Sequence, residues 1–325
     1  IDEELNEVQN LFSKGSYQLA LRKINKVIKN DKQNYIAYNY RGIILVALKK
    51  SSEAIKDFRK TLELNPDFTE AIGNIGMAFH EMNYLEEAIK NYKKAYELSE
   101  LVQFEINLGN LYLQIRKNEK AIHHFNSSLK KDNRNEYVHQ LLAEAYIRDL
   151  KYDLAIEHHK IAISINSSNP KNYFLLGSDY IWSGNKELAV KNLITALNLD
   201  HDYYEAYYAL SRIHPIKLSD NLAKNIIELD KNPLLSDKNK AYLNFTLAKI
   251  YDDKNDLINF SKHITKANLS MKNVSKYNYS TTREFLERIK SKFSNKLESS
   301  DFFCKVNNKI TPIFILGMPR SGSSL

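Results

Sequence analysis

The stretch AIGNIGMAFHEMNYLEEAIKNYKKAYEL, Ala71 to Leu98, decides the fold. Its apolar residues recur at intervals of three and four on both sides of a polar break around Asn83, the pattern of two amphipathic helices joined by a short turn. Gly76 and Ala88 stand twelve residues apart, with Phe79 just after the first and Tyr92 just after the second. Two antiparallel helices approach closely only where both lack bulk. Gly76 and Ala88 are therefore placed at the contact, with Phe79 and Tyr92 filling the space above and below it.

The same arrangement returns along the chain. Ala20, Ala54, Ala88, Ala121, Ala155 and Ala189 are spaced by 34, 34, 33, 34 and 34 residues. Twelve residues before the last five stand Gly42, Gly76, Gly109, Ala143 and Gly177, and nine before them Leu45, Phe79, Tyr112, Tyr146 and Tyr180. Four residues after come Phe58, Tyr92, Phe125, His159 and Leu193. Pro66 falls just past a second helix, where a helix must stop. A repeat of this length predicts a solenoid in which each helix pair buries its apolar face only against its neighbours. The pattern resembles the tetratricopeptide repeat (TPR). The resemblance implies an all-α, right-handed superhelix of helix pairs, with six repeats over residues 1–203. The first of them is weak because Val8 takes the small residue's place.

Beyond residue 203 the pattern degrades. Residues 204–272 read as a degenerate, TPR-like helical region: Glu205 to Ile213 and Asn221 to Leu229 as helices, then an irregular unit of Tyr242 to Tyr251 and Asp256 to Met271. Residues 273–309 read as a linker helix and a connector, with Thr281 and Glu284 forming a capping box. Residues 310–325 change character. Ile313 to Leu316 is an apolar, partly β-branched run suited to a buried strand, and Gly317 ends it. The loop that follows, with Leu325 opening a helix, has the composition of an anion cradle built from backbone N–H groups. A nucleotide-triphosphate loop is a poor match, since Ser323 stands where its lysine belongs.

The segment Pro319, Arg320, Ser321, Gly322, Ser323 and Ser324 instead resembles the 5′-phosphosulfate motif of sulfotransferases that use 3′-phosphoadenosine 5′-phosphosulfate (PAPS). Together with the repeats, it makes the chain resemble bacterial proteins that fuse TPRs to a sulfotransferase domain, here broken off after the first strand and phosphate loop of an α/β fold. That resemblance implies PAPS as co-substrate and Arg320 as the catalytic residue stabilising charge on the donor's bridging oxygen, while the general base would lie past Leu325. On this reading the fragment alone is inactive. The competing expectation is a non-catalytic TPR scaffold that binds peptides or partner proteins.

The groove of such an array is expected to hold a protein or peptide. Asn74 and Asn107 precede their contact glycines by two residues, which turns them away from the contact within the repeat. The segment NLGN, Asn107 to Asn110, resembles the asparagine ladder with which the TPRs of O-GlcNAc transferase hold extended peptides. Asn74, Asn107 and Asn110 are thus the expected peptide-binding residues. His123, His124, His158 and His159 give no metal site, because His159 falls in a core column and no carboxylate or cysteine stands at ligand spacing. Asp252, Asp253 and Asp256 read as a turn between helices. The 21 tyrosines mostly fall in repeat core columns or beside them, which points to packing rather than an aromatic binding stripe.

Bulk properties are consistent with this reading. The 325 residues are 43% hydrophobic, with a formal net charge of +8 that is spread without long single-sign runs. Mild basicity favours acidic partners, and neither nucleic acid nor membrane is expected. One cysteine excludes an intrachain disulfide framework, and a cytoplasmic setting is the expectation.

Overall fold

A computed structural model describes residues 2–216, 220–274, 283, 284 and 286–288. The strand and phosphosulfate loop expected at 310–325, and most of the linker helix and connector expected at 273–309, lie outside the described residues. Among the described residues every regular element is a helix.

Six helix pairs come first: α1 (Asp2–Ser13) with α2 (Tyr17–Asn30), α3 (Tyr35–Ala47) with α4 (Ser51–Leu64), α5 (Thr69–Glu81) with α6 (Leu85–Ser99), α7 (Val102–Gln114) with α8 (Asn118–Lys131), α9 (Glu136–Arg148) with α10 (Tyr152–Ile165), and α11 (Pro170–Trp182) with α12 (Lys186–Leu199). Then come α13 (Tyr204–Ile213), α14 (Asn221–Leu229), α15 (Asp237–Asp252) and α16 (Leu257–Val274). The chain divides into two units, Ile1–Ser270 and Met271–Leu325; α1 to α15 lie in the first, as does α16 up to Ser270.

The pairs form as the repeat predicts. A Cβ added to Gly76 would sit 3.0 Å from the Tyr92 ring and 3.3 Å from the Ala88 carbonyl oxygen, so no larger residue fits without displacing its partner. Ala20, Ala54, Ala88, Ala121, Ala155 and Ala189 are all fully buried. A second close approach was not predicted. The Phe104 ring of α7 occupies the space that a side chain on Gly73 of α5 would need, which packs one repeat against the next.

The turns inside the pairs follow a pattern that the residue types do not announce. Gly15, Lys49, Asn83, Arg116, Leu150 and Gly184 all have positive φ, between 58° and 82°. Each is followed by an N–H that bonds back to the residue nine before the repeat alanine, as in Lys117 N to Tyr112 O (2.8 Å) and Lys151 N to Tyr146 O (2.9 Å). This is the Schellman end of a helix, in which a left-handed residue lets the chain double back. Asparagines serve the other ends: Asn34, Asn135, Asn169 and Asn185 cap α3, α9, α11 and α12 by accepting backbone N–H bonds.

The region after residue 203 is more regular than its sequence indicates. Ser211, 2% exposed, occupies the glycine column of α13, and α13 packs on α12 as the earlier first helices pack on their predecessors. His214 and Pro215 then replace the Schellman turn, and α14 is short. The hairpin returns in α15 and α16. Asn255 has φ 59°, Asp256 N bonds to Tyr251 O, and buried Ala248 takes the small-residue column. The unit expected to be irregular thus keeps the turn and the small-residue column of the first six pairs, and departs at its anchor column, where Phe260 stands in place of alanine.

First helices of successive units touch one another, α3 with α5, α7 with α9, and α11 with α13. No pair of second helices among the described residues meets comparably. The first-helix side is thus the shorter, inner side of a curved array.

Candidate functional site: the inner face of the array

Along α3 to α9 the polar side chains of the inner face are engaged with each other. The Asn74 amide donates to Asn39 Oδ1 of the preceding first helix (2.8 Å), and Asn39 is buried. Asn107 Oδ1 accepts from Gln103 one turn earlier on its own helix (3.0 Å). Both are half-buried, as is Asn110 one turn further along α7. Further rungs tie neighbouring first helices: Lys49 to Glu81 (2.5 Å), His80 to Gln114 (2.6 Å), and Arg148 to the Leu113 carbonyl (2.9 Å). Gln140 donates to buried Asn172 of α11 (2.7 Å). The expected ladder asparagines thus lie on first helices, and at least Asn74 spends its amide on a neighbouring repeat.

The histidines fall into a recurrent arrangement inside the pairs. His124 Nδ1 lies 2.5 Å from Glu105 Oε2 and its ring stacks on Tyr112. In the next repeat His158 Nδ1 lies 2.9 Å from His139 Nδ1 and stacks on Tyr146. In the last pair His263 Nδ1 lies 2.9 Å from Asn244 Oδ1 and stacks on Tyr251. The same three positions thus hold Glu–Tyr–His, His–Tyr–His and Asn–Tyr–His. Burial, and next the charge of His139, push His158 down to about 4, with only a partial opposing pull from Glu157.

His159 sits in the core, as its column predicts, 2.5 Å from Asp179 Oδ2, both 1% exposed. Burial raises the Asp179 carboxyl, against the opposing pull of its bond to His159. Among the described residues no three His, Cys, Asp or Glu side chains come together as a metal set. Asp252 and Asp253 pair with Lys249, and Asp256 caps α16 by accepting from Asn259 N, which accounts for the acidic turn.

From α11 onward the inner face changes. Phe174, Ser178, Ile181 and Trp182 of α11, Glu205, Tyr208, Ala209, Arg212 and Ile213 of α13, and Tyr242 of α15 line a hollow of about 380 Å³. Trp182 is 66% exposed at its edge. Tyr208 packs against Tyr242 and Phe245 at centroid distances of 5.7 and 5.6 Å, with the Arg212 guanidinium 5.7 Å above its ring. Glu205 is paired with Lys238 (2.8 Å), which itself lies over the Tyr242 ring. A second hollow, lined by Ile181, Gly184, Lys186, Arg212 and Ile213, adjoins the first. The tyrosines expected mostly in core columns include exceptions here. Tyr207 is fully buried, but Tyr208 and Tyr242 form walls of an open site.

A signal for this hollow was present in the repeat. Counted from the glycine column, the inner-face positions are three before and one, four and five after, which for Gly177 are Phe174, Ser178, Ile181 and Trp182. The position two before varies: Asn74 reaches the neighbouring first helix, Asn107 bonds within its own helix, and Ala209 lines the hollow.

Comparison with known proteins agrees with the geometry. The tetratricopeptide repeat family matches residues 35–68 and 69–100. Human tetratricopeptide repeat protein 6 is 28% identical over 130 residues, 40% of this chain and 25% of its own length. Heat shock protein STI1 of Saccharomyces cerevisiae is 31% identical over 98 residues, 30% of this chain and 17% of its own. The chain thus spans a quarter or less of the length of these curated relatives. Among solved structures, PilW, a type IV pilus biogenesis factor, superposes with a TM-score of 0.56 at 19% identity, covering 65% of this chain and 97% of its own. PilF of Pseudomonas aeruginosa gives 0.52 at 17% identity, covering 63% and 94%. These likenesses concern the fold alone. Family match, repeat spacing and helix packing agree that the chain carries tetratricopeptide repeats wound into an all-helical superhelix.

Proposed function

We propose that this chain is a repeat scaffold that holds a segment of a partner protein on its inner face, chiefly on the hollow between α11, α13 and α15. The observation that carries the reading is an open aromatic surface on the concave side. A large exposed tryptophan beside packed tyrosines costs free energy in water and is characteristic of a recognition surface. The matching segments of a heat shock protein and of DnaJ homologues give the same direction. No helix among the described residues is long and apolar enough to cross a membrane, and the compartment is left open.

Selection of binders from a random peptide display library tests the reading. Selected peptides should lose affinity with Trp182→Ala and keep it when Asn74 and Asn107 are both replaced by alanine. Binders that ignore Trp182 and depend on the two asparagines would instead favour the asparagine-ladder expectation.

A second reading rests on the sequence Pro319 to Ser324 alone. In it the repeats recruit an acceptor for a PAPS-dependent sulfotransferase, with Arg320 at the donor. These residues lie outside the described part, so no catalytic step is derived. Sulfate transfer from labelled PAPS by the gene's full product, abolished by Arg320→Ala, supports this reading, and turnover indifferent to that substitution removes it.

A further inference from the structure

Resting on the scaffold reading, we infer that the inner-face hollow of α11, α13 and α15 selects a peptide in which a bulky apolar side chain stands close to carboxylates. The hollow supplies an apolar cradle, and its charges are unevenly committed. Glu205, the carboxylate in its wall, is taken by Lys238. Arg212 has no carboxylate within ion-pair distance among the described residues; its guanidinium rests on the Tyr208 ring. Lys186 likewise has no ion pair among the described residues, and it shares the adjoining hollow with Arg212. The site therefore presents an aromatic cradle and, across the shared wall of Ile181 and Ile213, two cations without counter-charges.

Chemistry follows from that layout. An arginine resting over an aromatic ring still has N–H donors for a carboxylate, which it can engage bidentately. A phenylalanine or leucine side chain in the cradle would exclude water from Trp182 and Tyr208, lowering the local dielectric around the Arg212 contact. A basic peptide would instead bring a second set of cations to Arg212 and Lys186 and leave their charge uncompensated. The chain's net charge of +8 steers the same class of partner. Because the two hollows adjoin, the apolar anchor and the acid belong close together in the peptide.

The chain carries its own reporter, since Trp182 is its single tryptophan. The probe is a blocked pentapeptide with one phenylalanine followed by two aspartates, compared with versions in which the aspartates become lysines or the phenylalanine becomes alanine. Titration of the acidic peptide should shift Trp182 emission to the blue, with affinity roughly tenfold or more above either variant peptide. Arg212→Glu should remove that preference and restore binding of the lysine version. This charge swap keeps the inference testable even where the wild-type affinity is weak. Equal binding of acidic and basic peptides, or an emission that moves only with protein concentration and so reports a second copy, would overturn it. Library-selected peptides that need Trp182 yet ignore the charge at position 212 sink the inference while leaving the scaffold reading intact. A library yielding no binder to the inner face removes the scaffold reading itself.

Discussion

The inner faces of α3 to α9 and of α11 to α15 are made from the same repeat, yet they are finished differently. On the first, polar side chains satisfy one another between repeats: Asn39 with Asn74, His80 with Gln114, Arg148 with the Leu113 carbonyl. On the second, Phe174 and Tyr208 stand in the column of Asn39 and Trp182 in that of Gln114 and Arg148, with Arg212 beside them, and their surfaces stay open. Polar groups that are already paired gain little from a ligand, because a new hydrogen bond must replace an existing one. Open aromatic surface gains by every contact that removes it from water. One stretch of the groove is thus closed by its own side chains, and the other is left open as the proposed binding surface requires.

The expected effects of changing the two stretches follow from that difference. The largest belongs to the shared framework. Gly109→Val puts a branched side chain where the Phe125 ring stands, and overpacking of this kind should cost about 3 kcal/mol and lower the thermal unfolding midpoint. In the open stretch, Trp182→Ala should weaken partner binding by about 2 kcal/mol, roughly 30-fold, while the unfolding midpoint barely moves. Calorimetry and a binding titration on the same samples separate the two effects. In the closed stretch, Asn39→Ala should do the reverse, costing about 1 kcal/mol of stability with partner affinity unchanged.

A pH dependence of similar size is expected from the His139–His158 pair. His158 is held at about 4, below its usual value near 6.5, so the folded chain binds fewer protons than the unfolded one. Stability is fully present above about pH 6.5 and is lost as the pH falls toward 4. The ring is only half-buried, so the loss is of order 1 kcal/mol after solvent screening. His139→Glu, which copies the Glu105–His124 pair, should flatten that acid limb in urea unfolding curves. The smallest effect concerns Leu150, whose positive φ of 59° strains a branched residue. Leu150→Gly should raise stability by about 0.5 kcal/mol, the relief of strain being partly offset by extra freedom in the unfolded chain.

The repeat was legible because close helix contacts demand small residues at fixed spacing, and Gly76, Ala88 and their counterparts announce them. The turns were not, because Lys49, Arg116 and Leu150 adopt left-handed φ under the constraint of the packed pairs rather than from their own preference. The regularity of α15 and α16 was hidden for a related reason. Its pair departs at the anchor column, where Phe260 replaces alanine, and keeps the rest in Ala248, Tyr251 and Asn255. The open aromatic hollow was missed because tyrosines in buried and inner-face columns alternate. Adjacent Tyr207 and Tyr208 have opposite fates, and only their offset from Ser211 tells them apart.

Hydrogen–deuterium exchange with and without a selected peptide tests the division of the groove most directly. The account predicts slowed exchange in α11, α13 and α15 with α3, α5 and α7 unaffected. Protection concentrated around Asn74 and Asn107 on α5 and α7, with α11 to α15 unchanged, would contradict it.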